Sequence, residues 1–427
     1  MKRQNCMRGS RTIWTTGLPL KRGLLGLLAG ALTMKAQSVI APVPSAAAPP
    51  PELRAPENTG NQAVPPAEAA AGTLQETSPF QWGPATFYPH LFYRFLYGDG
   101  IQANPGQEVT SAVHLLSPGI LTDIGTHWTL DYTPTWTLYS NRQLQNTLDH
   151  AVNLAGATSF QDWLLKFSQS YNYANDPLIA TGSQTTQQSA STAFTASYRF
   201  GNRMRLDSTL SQNLQFTQGF SDSRAWDDLE QFHYQFSKYL DTFAGLDLGY
   251  EEQSNSPDME SISPTLGIAC HPTDKISLNA NAGLESRRFL SGSAANVTTP
   301  VYGASLGYQP VSTTKLTVGA NREVDTSALE DQITKTTTLN ADLNQRLLQN
   351  FYLDVSFEHQ AVDYVSSVGS PGLDREDKLY TVNVKLSTTF FGRGTIAVFF
   401  QNSHNASTSA EFAFTSHQGG VEIGYRY

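Results

Sequence analysis

The stretch Gly419-Gly420-Val421-Glu422-Ile423-Gly424-Tyr425-Arg426-Tyr427 decides the reading of this chain. Extended, it places Val421, Ile423, Tyr425 and Tyr427 on one face and Gly420, Glu422, Gly424 and Arg426 on the other. That is a period-two strand with one apolar and one polar side. An aromatic that closes such a strand suits a water–lipid interface, where the ring lies at headgroup level.

The same alternation runs upstream. Phe351, Leu353, Val355 and Phe357 oppose Tyr352, Asp354, Ser356 and Glu358. Ile276, Leu278, Ala280, Ala282 and Leu284 oppose Ser277, Asn279, Asn281, Gly283 and Glu285. Trp128, Leu130, Tyr132, Trp136 and Leu138 oppose Thr129, Asp131, Thr133, Thr135 and Thr137. From about Thr86 to Tyr427 such segments recur roughly eighteen times (16–18), well beyond the five or six residues of a typical soluble strand. Short connections at Gly201-Asn202, His271–Asp274, Pro310–Ser312, Leu348–Asn350 and Gly392-Arg393 alternate with longer ones at 98–108, 175–185, 254–257, 290–297, 365–374 and 405–414. Tight turns at one end and long loops at the other predict an all-β, antiparallel, up-and-down transmembrane barrel over residues 80–427.

Composition agrees. Charged residues make up 15% and aromatics 11%, against about 25% charged in an ordinary soluble domain. Before the barrel, Lys2, Arg3, Arg8, Arg11, Lys21 and Arg22 precede the apolar run Gly23–Leu32. This is the pattern of a signal peptide over residues 1–36. Its apolar run is shorter than the about 20 residues that span a bilayer. Residues 37–79, with Ala41-Pro42-Val43-Pro44, Ala48-Pro49-Pro50-Pro51 and Val64-Pro65-Pro66, read as a disordered Pro/Ala-rich periplasmic tether. Removal of 1–36 leaves 21 basic and 37 acidic residues, net −16, which argues against a nucleic-acid partner. Cys6 and Cys270 provide no disulfide framework.

The closing strand, with Tyr425 and Tyr427 as its aromatics, resembles the C-terminal recognition strand of bacterial outer-membrane β-barrels; Glu422 stands where that pattern has a glycine. The whole architecture is similar to the β-barrel porin families of Gram-negative bacteria, some of which are linked to polysaccharide export. The resemblance implies an outer-membrane location and insertion by the barrel-assembly machinery through Tyr425 and Tyr427. It further implies passive diffusion or export of small hydrophilic solutes or glycans, without a cofactor and with homo-oligomers among the options. A non-conducting scaffold, adhesin or receptor barrel is the alternative, and a barrel enzyme a third.

Motifs for catalysis are sparse. Gly303-Ala304-Ser305-Leu306-Gly307 matches G-x-S-x-G but lies within a strand, whereas a nucleophile elbow needs a strand-to-helix turn. The nine histidines show no H-x-x-x-H spacing, so neither a metal site nor a catalytic group is assigned. The polar strand face carries the chemistry. Alternation points Asp131, Lys166, Arg199, Arg203, Arg205, Asp207, Asp241, Asp247, Glu251, Glu285, Asp342, Arg346, Asp354, Glu358, Lys385, Glu422 and Arg426 into the lumen. Such sorting follows from the cost of charge on a lipid face, about 2–4 kcal/mol for a midplane cation and less for an acid. Asp131, Arg199, Arg203, Arg205, Asp207, Asp354, Glu358, Lys385 and Glu422 are the expected pore-lining residues. Trp163, Phe200, Tyr239, Phe351, Phe390, Phe391 and Tyr427 are expected in a lower aromatic girdle, and Tyr97, Tyr139, Tyr173 and Tyr364 in an upper one.

Overall fold

The computed structural model describes residues 80–254, 256–291, 296–327, 329, 332–366 and 374–427. The segments expected as signal peptide (1–36) and tether (37–79) lie outside the described residues. A two-residue strand, β1 (Gln81–Trp82), opens the described chain. Eighteen long staves follow: β2 (Ala85–Asn104), β3 (Gln107–Ile124), β4 (Trp128–Tyr139), β5 (Thr147–Phe160), β6 (Trp163–Leu178) and β7 (Ser183–Phe200). Next come β8 (Met204–Thr217), β9 (Ser223–Ser237), β10 (Leu240–Gln253), β11 (Met259–Thr273), β12 (Ile276–Phe289) and β13 (Val297–Val311). The set ends with β14 (Thr314–Thr326), β15 (Gln332–Leu347), β16 (Phe351–Ser366), β17 (Arg375–Phe390), β18 (Gly394–Ser407) and β19 (Phe414–Arg426). Among the described residues a 3-10 turn, Ala410–Phe412, interrupts the last loop.

Each stave pairs antiparallel with its sequence neighbours, and β19 pairs with β2, so the sheet closes on itself. Closure leaves no strand edge to expose backbone polar groups to hydrocarbon. The tight lower turns depend on left-handed residues: Gly201 has φ +66° and Gly392 φ +71°, a region a glycine enters without steric cost.

Alternation places Ile396, Val398 and Phe400 outward on β18, with Val398 51% and Phe400 48% exposed. Their neighbours Ala397 and Gln401 are buried. Comparable exposed side chains, such as Leu266 on β11, Leu210 on β8 and Phe194 on β7, extend this apolar exterior around the barrel. An apolar surface so continuous is stable in lipid, not in water. A closed antiparallel barrel with this exterior is of the outer-membrane type and belongs in the outer membrane of a Gram-negative-type bacterium.

Three expectations need correction. The connection 98–108 is mostly strand, because β2 and β3 stay paired as far as Asn104 and Gln107. Register shifts at Gly98/Ile101 and Gln102/Asn104 interrupt that ladder, and bulges of this kind bend a hairpin. Ile101, Gln102 and Ala103 are consequently all buried, where a flat strand would alternate. The turn expected at His271–Asp274 is shorter, since β11 continues to Thr273. Tyr139 and Tyr364, expected in the upper girdle, fall on the inward parity of β4 and β16 and are 9% and 7% exposed. Tyr139 packs into a buried apolar cluster with Leu96, Ile101 and Val113, and Tyr364 is covered by the Arg375 guanidinium.

Candidate functional site in the lumen and its mouth

The seam between β2 and β19 carries a buried ion pair. Arg94 and Glu422 oppose one another in register. Arg94 Nε donates to Glu422 Oε1 at 2.9 Å, and its Nη2 donates to the same oxygen. Both side chains are under a tenth exposed. The guanidinium also lies over the Phe399 ring, 4.9 Å from its centroid. Around this pair the inner wall is apolar: Leu96, Ile101, Val109, Val113 and Leu115 form a buried cluster against which Phe399 packs. Sequence reading places Glu422 in the lumen but omits Arg94, whose partner is defined only once the seam is known.

The lower half of the lumen mixes both signs. Arg205 donates to Asp207 at 2.8 Å, and His233 sits between Asp207 (3.4 Å) and Asp241 (3.3 Å). Arg199 pairs in register with Arg205 at the base of β7 and β8. Arg203 lies below the wall, in the exposed turn 201–203, because β7 ends at Phe200 and β8 begins at Met204. Asp131 accepts from Thr133 at 3.3 Å and lies 3.9 Å from His90. Asp354 accepts from Asn344 at 2.5 Å and stands opposite Lys385 across the β16–β17 ladder. Glu358 faces inward higher on β16, opposite Asn340 and Thr381.

The upper half on the far wall is different. A cavity of about 170 Å³ is lined by Asp227, Asp247, Glu251, Glu285 and Asp325, with Arg287 among them. Arg287 pairs with Glu285 and also donates to the Val324 carbonyl. Thr326 donates to Glu251 at 2.6 Å and Gln253 to the Ser327 carbonyl at 2.9 Å, so the top of β14 leans inward to meet β10. Met259, Phe289, Val324 and Ile333 pack beneath that bend. Five carboxylates around one guanidinium give this chamber a negative potential that low-dielectric walls concentrate. Among the described residues no group of three or more His, Cys, Asp or Glu side chains is arranged to hold a metal ion.

A cap crosses the mouth above. Arg375, buried at 6% exposure, lies between the rings of Tyr364 and Phe412 at 3.9 and 3.8 Å. It pairs with Asp377 at 3.2 Å and donates to the Ala180 carbonyl at 3.5 Å. One side chain thereby ties the start of β17 to the β6–β7 and β18–β19 connections. Gly106 N donates to the Glu411 carbonyl at 2.8 Å, which joins the bent β2–β3 tip to the same turn. Asn405 donates to the Phe412 carbonyl at 2.8 Å from below. This explains why Tyr364 faces inward: its ring is half of the Arg375 sandwich.

At the lower rim Tyr425 points outward, 42% exposed. Tyr427 N donates to the Pro89 carbonyl at 3.0 Å, its ring meets Phe80 at 5.4 Å, and the Arg393 guanidinium lies 4.5 Å over it. Ser305 of the G-x-S-x-G match lies in mid-strand, accepting from Asn279 at 3.3 Å, with neither turn nor helix beside it.

Comparison with known proteins adds the following. A family model described as a protein of unknown function, DUF481, matches residues 177–387, just under half of the chain. No curated protein matches the sequence. Among solved structures, OccK2 (OpdF) of Pseudomonas aeruginosa is 12% identical, covering 80% of this chain and 98% of its own at a TM-score of 0.43. OccAB4 of Acinetobacter baumannii is 9% identical, with the same coverage and a TM-score of 0.43. The copper transporter OprC is 9% identical over 78% of this chain and 63% of its own, at a TM-score of 0.44. These likenesses are of barrel to barrel, and the fold stands on the strand pairing itself.

Proposed function

We propose that the barrel is a porin-like channel for small hydrophilic solutes, with a preference for cations. The observation that carries this reading is the chamber of Asp227, Asp247, Glu251, Glu285 and Asp325 around the lone Arg287. Rings of carboxylates select cations by stabilising them against the loss of bulk water. The lower lumen, where Arg205, Asp207, Asp354 and Lys385 alternate in sign, orders water and holds polar solutes without adding much selectivity. Uptake or export of glycans fits the same lumen, since its walls offer many hydroxyl and amide groups. Reconstitution of the purified protein in planar bilayers under a salt gradient tests the reading. A reversal potential of the sign for cation flow is expected, and anion preference would refute it.

A second reading, a non-conducting scaffold, adhesin or receptor barrel, is favoured by the cap. Arg375 and the bent β2–β3 tip cover the mouth on the seam side. Silent bilayers with both the native protein and Arg375→Ala would select this reading.

A further inference from the structure

Between the aromatic girdles, the outer face of a membrane barrel should be uncharged. β9 breaks this rule. Gln231 and His233, each 3% exposed, point inward, whereas Phe232, 44% exposed, points to lipid. Asp228 and Glu230 share the parity of Phe232. Their cross-strand neighbours are outward residues as well: Leu210 and Leu248 flank Asp228, and Ser208 and Leu246 flank Glu230. Above them Trp226 stacks on Tyr250 at 5.9 Å, marking the upper girdle. Tyr234 and Phe236 lie below, 4.7 Å apart. The two carboxylates thus sit within the lipid belt, and neither makes a hydrogen bond or ion pair among the described residues. The charges Arg224 and Glu252 at the ends of β9 and β10 differ: they lie beyond the aromatics and pair with each other at 3.9 Å.

The belt offers a matching cation. Arg322 on β14 stands opposite Tyr302 and Thr337 on the outer parity. Its Nη1 donates to Thr337 at 3.1 Å, its Nε is buried without a hydrogen-bond partner, and no carboxylate pairs with it among the described residues. Asp228 lies nine residues above the lower end of β9 at Ser237, and Arg322 eight above the lower end of β14 at Thr314, so acid and base stand at comparable depth. Between them the exterior is dented rather than smooth. A depression of about 550 Å³, floored by Ala244, Ala280 and Ala282, lies between Phe232 and Leu266.

We propose that the outer face from β9 to β14 is a self-association surface. On it, Asp228 and Glu230 of one copy pair with Arg322 of the next, and apolar side chains of the neighbour fill the dent. A second copy is favoured over lipid because acyl chains offer none of the three charges a counter-ion. Charge complementarity singles out this occupant, since the chain itself carries the required cation at the required depth. The two patches lie five staves apart on an eighteen-stave barrel, roughly 100° around it. Distinct patches that meet head to tail close into a ring, not a two-fold pair. The expected assembly is therefore a cyclic oligomer of three or more copies with parallel barrels. This inference does not depend on whether the lumen conducts.

Native mass spectrometry of the full protein extracted in mild detergent tests it. A ring of three or more copies is expected, reduced to monomer by Arg322→Glu. Combining Arg322→Glu with Asp228→Arg and Glu230→Arg should restore the ring. Heat-modifiable migration of each variant reports that the barrel itself is folded. An independent measurement uses chains in which Cys6 and Cys270 are serine. Glu230→Cys with Arg322→Cys should yield a ladder of disulfide-linked copies in the membrane, and Glu230→Cys alone none. A native protein found as monomer or dimer, a ring unmoved by charge reversal, or self-crosslinking of Glu230→Cys alone would each overturn the proposal.

Discussion

On the seam side of the lumen, from β18 round to β4, the inward positions include Leu96, Val113, Leu115, Phe399 and the neutralised pair Arg94–Glu422. On the far side, from β9 to β14, they include Asp227, Asp247, Glu251, Glu285 and Asp325. Both walls obey the same period of two and both close the same sheet. The difference lies in what fills the space behind them. The bent β2–β3 tip lies against the seam wall and dries it, so apolar side chains and a fully paired ion couple are the stable solution there. The far wall borders a cavity of about 170 Å³, where five acidic side chains gather around Arg287. This barrel's inner face is therefore polar where it borders a cavity, and a solute path is to be sought along the far wall.

The most damaging way to break this contrast is at the seam. Glu422→Ala leaves Arg94 buried without its counter-charge, a loss of about 3–5 kcal/mol for removing one partner of a buried pair. Urea titrations followed by heat-modifiable migration should show that loss, while Glu422→Gln, which keeps one acceptor, should lose less. Deletion of Tyr427 removes the ring that packs on Phe80 and under Arg393. The yield of assembled barrel should fall, with unchanged ion selectivity in the molecules that do assemble. Next comes the cap. Arg375→Ala removes two ring contacts of about 0.5–2 kcal/mol each, and single-channel conductance should rise if the seam-side cap narrows the mouth. On the far wall, Asp247→Asn with Glu285→Gln should lower cation preference measurably by reversal potential. The same measurement on Asp354→Asn with Glu358→Gln should give the smallest change, because Lys385 and Asn344 already surround Asp354.

Much of this molecule was legible from alternation. The staves, the side of the tight turns and the inward parity of residues such as Asp131, Asp207, Asp354 and Glu422 need only the period of two and the membrane. What alternation leaves out is everything that departs from a flat, two-faced sheet. Bulges at Gly98/Ile101 and Gln102/Asn104 bury both faces of one hairpin, and no local pattern marks them. Tyr364 looks like a girdle aromatic until Arg375, its register partner on the next stave, claims its ring. Arg94 gains its meaning from a partner at the other end of the chain. Arg203 follows the parity of its neighbours on paper, yet a turn interrupts the parity before it. Asp228 and Glu230 were readable as outward, being in step with Phe232, but the assumption that lipid excludes charge hid them.

The Arg94–Glu422 contact joins positions 328 residues apart in the chain. No partly built sheet contains it, because it arises only when the final stave meets the first. Until then both charges lack their mate, and each open intermediate carries that cost together with two bare strand edges. Closure relieves all of it in one step. The seam therefore acts as a latch that makes the finished cylinder far more stable than any sheet one stave short, and truncated or mis-registered forms are left without a comparable resting state.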